Sequence, residues 1–229
     1  MHIKVFIAEM LGTFIILLVF FATSLLVPET KAAPWLPSMA IGIATIAVTY
    51  GLGQISGGHF NPAITTGLVA AKRFDMAHAP FFWIAQLAGA LLAAGAIFLI
   101  ITATPPNAGT ENTSFSLLAN RAGGQDLSAL IVAFMSEMIL TAIVMIVFIG
   151  VTSHNSLLPF APIAIGLGVA MCYLIVMPLT NAGLNPARST AAALFAGIEN
   201  IGQLWIFWIA PVAGSCIGGL TARYLYSDT

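Results

Sequence analysis

Six windows of about 20 mainly apolar residues recur along the chain, at roughly 4–27, 36–55, 80–103, 128–151, 158–179 and 201–226. A helix rises 1.5 Å per residue, so each window is long enough to cross a hydrocarbon layer of ~30 Å. The polar or Pro-rich stretches between them, at 28–37, 104–126 and 153–159, are too short to hold a soluble domain. Two further segments break the pattern. Residues 56–66 read SGGHFNPAITT and residues 181–190 read NAGLNPARST, each lying between two of the long windows. Asn before Pro predicts a helix start, because the Asn side chain caps and Pro is tolerated where its missing N–H would be unpaired anyway. Asn61 and Asn185 are therefore expected N-caps, with Pro62-Ala63 and Pro186-Ala187 opening the helices. About ten apolar or small residues follow each, roughly 15 Å of helix or half a membrane. Two such half-helices placed head to head would complete one crossing.

The chain also repeats itself. Asn61 recurs at Asn185, Trp83-Ile84-Ala85 at Trp208-Ile209-Ala210, and Glu9-Met10 at Glu137-Met138, at offsets of 124, 125 and 128. Each half, approximately 1–103 and 128–229, holds three long windows, and an odd number turns the second half upside down relative to the first. The expected fold is an all-α membrane protein: six transmembrane helices plus two re-entrant half-helices in an inverted repeat, forming one domain over 1–229.

Composition agrees with the pattern. The 229 residues are 59% hydrophobic and 7% charged, with a mean hydropathy of +1.01. A net charge of −1 offers no basic field for nucleic acid. Cys172 and Cys216 both sit in apolar segments, so neither a disulfide nor a metal site is expected, and no cofactor. No HExxH pair, nucleophile elbow or phosphate loop appears, and the chain is not expected to be an enzyme. A cytoplasmic N-terminus would put Lys4, Lys72, Arg73 and Arg223 inside and Lys31 and Arg121 outside, in line with the positive-inside tendency; both termini are then cytoplasmic. Asn112 opens a glycosylation triplet of the kind that arises often by chance.

Irregular backbone at membrane depth persists only where protein buries it or where it lines a wet cavity. Gly57, Gly58, His59 and Phe60, and Ala182, Gly183 and Leu184, are such backbone, and their carbonyls are candidate acceptors along a pore. A capping Asn spends its oxygen on its own helix and keeps its NH2 for a guest, so Asn61 and Asn185 would offer two donors at the centre. A water accepting from both turns its hydrogens away along the two limbs, which interrupts a proton wire. Glu9 and Glu137, charges inside apolar spans, are expected to accept N–H groups from the two loops and aim the loop carbonyls. His59 is expected to contribute its carbonyl more than its ring. Arg188 stands one turn into the second half-helix, an unfavourable place for a cation, and is read as a pore donor that repels cations.

The boxes SGGHFNPA and NPARS together with Glu9 and Glu137 resemble the aquaporin (major intrinsic protein) family over essentially the whole chain. The stretches FAPIAIGL and LWIFW resemble its bacterial aquaporin Z branch. The resemblance implies a pore in every subunit, a homotetramer, a home in the cell's inner membrane and a filter built from Ile41, Tyr173, Ala182 and Arg188. Ser189, Ala193, Phe207 and Trp208 resemble the water-selective branch. Three filter positions depart from the family pattern: Ile41 replaces the usual Phe, Tyr173 the usual His, and Ala182 the common Thr or Cys. A Tyr173 hydroxyl reaching toward Arg188 would complete the polar side of the filter; a Tyr173 blocking it is the rival. The leading function is a passive channel for water, followed by one for small neutral solutes such as glycerol or dissolved gases. A secondary transporter on inverted repeats is disfavoured, because coupling needs more intramembrane charge than Glu9, Glu137 and Arg188.

Overall fold

The computed structural model describes residues 2–27, 35–105, 114–124, 126–154 and 157–226; Lys31 and Asn112 lie outside the described residues. Among the described residues eight α-helices follow in order: α1 (Ile3–Leu26), α2 (Trp35–Ser56), α3 (Pro62–Ala70), α4 (Ala79–Ala103), α5 (Leu127–Thr152), α6 (Ala161–Thr180), α7 (Pro186–Ala196) and α8 (Ile206–Leu225). Six of them, all but α3 and α7, are long and apolar enough to cross a membrane. The sixth apolar window begins later than its hydropathy predicts. Residues 201–205 are turns, and Gln203 is drawn away to pin the preceding loop by accepting from the Ala122 N–H at 2.9 Å.

The helices pack in the same pairs twice. α1 lies against α4 and α2, and α5 against α8 and α6, while α2 meets α6 across the seam between the halves. Each half-helix crosses that seam: α3 packs on α8, and α7 on α4. Close approach depends on missing side chains. A Cβ at Gly89 would strike the Met10 carbonyl and lie 3.0 Å from the Phe14 nitrogen, and one at Gly214 would strike the Met138 carbonyl at the equivalent place. Without a hydrophobic drive between helices in lipid, such backbone proximity is a main source of association.

Polarity is inverted relative to a water-soluble protein. Ile43, Leu99 and Ile131 are more than half exposed, whereas Glu9, Gln86, Glu137 and Arg188 have no exposed surface. Charges collect at the helix ends. Arg73, just past α3, donates to the Ile149 and Thr152 carbonyls at the end of α5, at 3.2 and 2.9 Å. Arg121 lies at the other end of the bundle, its backbone N–H on the Thr180 carbonyl at 3.2 Å.

Candidate functional site

The two half-helices are delivered by loops with the same unusual backbone. Positive φ occurs at Gly57, Gly58 and Phe60 (96°, 71° and 48°) and at Asn181, Ala182 and Leu184 (61°, 54° and 50°), the same three places 124 residues apart. Glycine adopts this region freely, but for Phe60, Ala182 and Leu184 it costs on the order of 1–3 kcal/mol each. Two buried carboxylates hold the loops there. Glu9 accepts from the Ser56 hydroxyl (2.6 Å), the backbone N–H groups of His59 (3.1 Å) and Phe60 (2.8 Å), and the Gln86 amide (2.7 Å). Glu137 accepts from the Thr180 hydroxyl (2.6 Å) and the N–H groups of Gly183 (2.8 Å) and Leu184 (2.5 Å). Hydrogen bonds to a charged acceptor contribute roughly 1.5–3 kcal/mol each, enough to offset the strain.

Asn61 and Asn185 cap α3 and α7: Asn61 Oδ1 accepts from Ala63 N–H at 2.9 Å, and Asn185 Oδ1 from Ala187 N–H at 3.0 Å and Arg188 N–H at 3.4 Å. Pro62 and Pro186 begin the two helices, and Ala63 and Ala187 are fully buried behind them. The amide groups differ from the expectation that leaves them to a guest. Asn61 Nδ2 donates to the Leu184 carbonyl at 2.9 Å, and Asn185 Nδ2 to the Phe60 carbonyl at 3.1 Å, so each cap ties down the opposite loop. Each NH2 carries two hydrogens, and one of each is spent on this tie.

Both Asn side chains line a cavity of about 60 Å³. A water needs roughly 10–15 Å³ by this measure, so there is room for a file of a few. Gly58, His59, Phe60 and Leu184 form its polar wall, with Ile16, Val144, Phe148, Ile165, Tyr173 and Ile41 among the apolar side. A larger groove of about 640 Å³ lies between loops 120–124 and 199–205, with Asn120, which accepts from Arg188 of α7, in its wall. His59 sets its ring against Phe74 and Phe82, with centroids at 4.8 and 4.6 Å, and its Nδ1 is 3.2 Å from the Thr65 hydroxyl.

Of the four filter candidates, Ile41 and Tyr173 reach the cavity wall, and Ala182 and Arg188 do not. Arg188 is fully buried, Nη2 donating to the Asn181 carbonyl at 2.8 Å and Nη1 to Asn120 Oδ1, with Nε unpartnered. No carboxylate lies within ion-pair distance of it among the described residues. The Tyr173 hydroxyl makes no hydrogen bond to Arg188. It donates to the Gly183 carbonyl at 3.2 Å, an acceptor left nearby by the loop's own turn. Phe20 fills the place beside both: its ring centroid is 5.0 Å from the Arg188 guanidinium carbon and 5.5 Å from the Tyr173 ring.

Sequence reading did not single out Ser56, Thr180, Gln86, Asn120 or Phe20. Ser56 and Thr180 share the 124-residue offset, and Gln86 is a lone amide in an apolar span, so both signals were present. Asn120 has no such mark. Among the described residues no cluster of His, Cys, Asp or Glu could hold a metal; Cys172 is buried and Cys216 half-buried.

The major intrinsic protein family model matches residues 1–222. Aquaporin Z of Photorhabdus laumondii subsp. laumondii is 38% identical over 96% of this chain and 96% of its own length. Aquaporin Z of Bradyrhizobium diazoefficiens is 34% identical over 100% and 95%. The crystal structure of the aquaglyceroporin from Plasmodium falciparum superposes with a TM-score of 0.80 at 21% identity, covering 99% of this chain and 96% of that one, and so supports the fold. With six membrane-length helices around two capped half-helices, the chain belongs to the major intrinsic protein family: it is a multi-pass membrane channel for water or small solutes, and not an enzyme.

Proposed function

We propose that the chain is a passive water channel that excludes ions and protons, with an atypical filter at Ile41, Tyr173, Ala182 and Arg188. The observation that carries this reading is the meeting of two Asn caps at one small cavity, with a buried guanidinium on the second half-helix that makes no ion pair among the described residues. Water at the centre accepts from the second hydrogens of Asn61 and Asn185, and its own hydrogens turn outward along the two limbs. A proton wire would need one of those waters to donate inward, which the two fixed donors oppose. Cations meet the positive ends of α3 and α7 and the charge of Arg188, which neutral amide oxygens solvate without cancelling.

The named relatives support water as the permeant, since both are aquaporins of the Z type. A homotetramer in the inner membrane, termini facing the cytoplasm, accords with the family and with the placement of Lys72 and Arg73 at the opposite end from Arg121. The second reading, a pathway for small neutral solutes, is favoured by one observation: an aliphatic Ile41 stands in the cavity wall. Light-scattering traces of proteoliposomes challenged with sucrose and then glycerol separate the readings. A water channel shrinks rapidly in both and re-swells slowly in glycerol. Re-swelling in glycerol as fast as the shrinkage would overturn water selectivity.

A further inference from the structure

We propose that Phe20, on α1, is the aromatic wall of the filter in this chain and sets its solute cut-off, taking over the position that Ile41 leaves open; this rests on the channel reading above. Position along α1 is the first ground. Ile16 lines the cavity, and Phe20 follows one turn later on the same face, about 6 Å further along the axis. The inverted repeat is the second. Ile16 and Phe20 correspond, at the offset of 128, to Val144 and Phe148 on α5, and both of these line the cavity. Phe148 stands 6.5 Å from the His59 ring at its end of the pore, so Phe20 is its mate at the Arg188 end.

Contact geometry is the third ground. Phe20 meets the Tyr173 ring edge to face and covers the guanidinium of Arg188, and both aromatic side chains and Arg188 are buried. Tyr173 is held in place by its hydrogen bond to the Gly183 carbonyl, which takes up its one hydroxyl hydrogen. The cavity reaches Tyr173 and Ile41 but not Arg188, and Phe20 is in contact with both the Tyr173 ring and the Arg188 guanidinium. Arg188 also keeps an unpartnered donor, Nε, on the guanidinium that lies 5.0 Å from this ring. A permeant passing from the central cavity to Arg188 must therefore displace or skirt Phe20. Water can follow a small ring movement; a three-carbon polyol needs a larger one.

The test uses full-length protein in proteoliposomes, with wild type, Phe20→Ala and the double variant Phe20→Ala, Ile41→Phe compared by stopped-flow light scattering in sucrose and in glycerol. Phe20→Ala is expected to raise glycerol flux at least tenfold over wild type, and the added Ile41→Phe to bring it back down by restoring an aromatic wall from α2. Phe20→Val, which shortens the wall while keeping a branched apolar side chain, gives the same reading if the alanine variant does not fold. Rapid water flux in wild type with glycerol flux unchanged by either Phe20 variant would overturn the proposal alone. Traces indistinguishable from empty liposomes for water and glycerol, in wild type and variants alike, would overturn the channel reading and this proposal with it.

Discussion

The two re-entrant loops share a backbone and differ in chemistry. Position for position, Ser56 matches Thr180 in its bond to a carboxylate, and Thr66 and Thr190 both donate to the carbonyl four residues back at 2.7 Å. Among the places where the halves diverge, His59 corresponds to Gly183, Ile64 to Arg188, Thr65 to Ser189, and Gln86 on α4 to Pro211 on α8. The first half thus carries an imidazole and an extra amide with no buried cation; the second carries the only buried guanidinium among the described residues. The comparison teaches that the backbone scaffold, fixed by carboxylates, is a separate device from the side chains proposed to discriminate between permeants.

The largest effect should come from breaking the scaffold in its less buffered half. Glu137→Gln turns an NH2 toward loop N–H donors, and each donor left unpaired in the interior costs about 1–3 kcal/mol. Glu9→Gln makes the same chemical change, but Gln86 can turn its amide and present Oε1, which is unpartnered in the native arrangement. Thermal unfolding in detergent should therefore show a clearly larger loss of midpoint for Glu137→Gln than for Glu9→Gln. Equal losses would mean that Gln86 gives the first half no reserve.

A smaller structural effect, but a larger functional one, is expected from Arg188→Val. Its removal keeps the caps and the carboxylate bonds and takes from the second loop only the donor to the Asn181 carbonyl, so water flux should persist while proton or cation leak rises several-fold in dye-loaded vesicles. A folded variant with an unchanged leak would assign exclusion to the half-helix ends alone. The smallest effect belongs to Gln86→Leu. Glu9 keeps its bonds to Ser56, His59 and Phe60, so the loss should be that of one charge-assisted bond, about 1.5–3 kcal/mol, with flux retained. A variant that fails to insert would show that the extra amide is structural rather than a reserve.

Much of this architecture was legible in the sequence because it is written twice. The Asn-Pro boxes, the Glu pair and the six apolar windows depend on local propensity and on a fixed offset, and α3 and α7 begin at the proline where the capping argument places them. What escaped reading was contact across the seam. That Asn61 would donate to Leu184, and Asn185 to Phe60, depends on two loops over 120 residues apart meeting head on. Asn120 solvates Arg188 from a loop with neither period nor repeat partner. Phe20 looked like any other apolar residue of a span, because its role depends on which way α1 is turned. The late start of α8 has the same origin: residues 201–205 are apolar enough to span, but Gln203 ties them to the loop before α5.

The central claim is that water crosses this pore while charge does not, and it is tested most directly by reading both fluxes in the same vesicles. Proteoliposomes loaded with a pH-sensitive dye would be given an osmotic step in sucrose and then a pH step under a clamped potential. The account predicts shrinkage much faster than that of empty liposomes together with a proton leak no greater than theirs. Shrinkage at the empty-liposome rate, or fast shrinkage accompanied by collapse of the pH gradient, would contradict it.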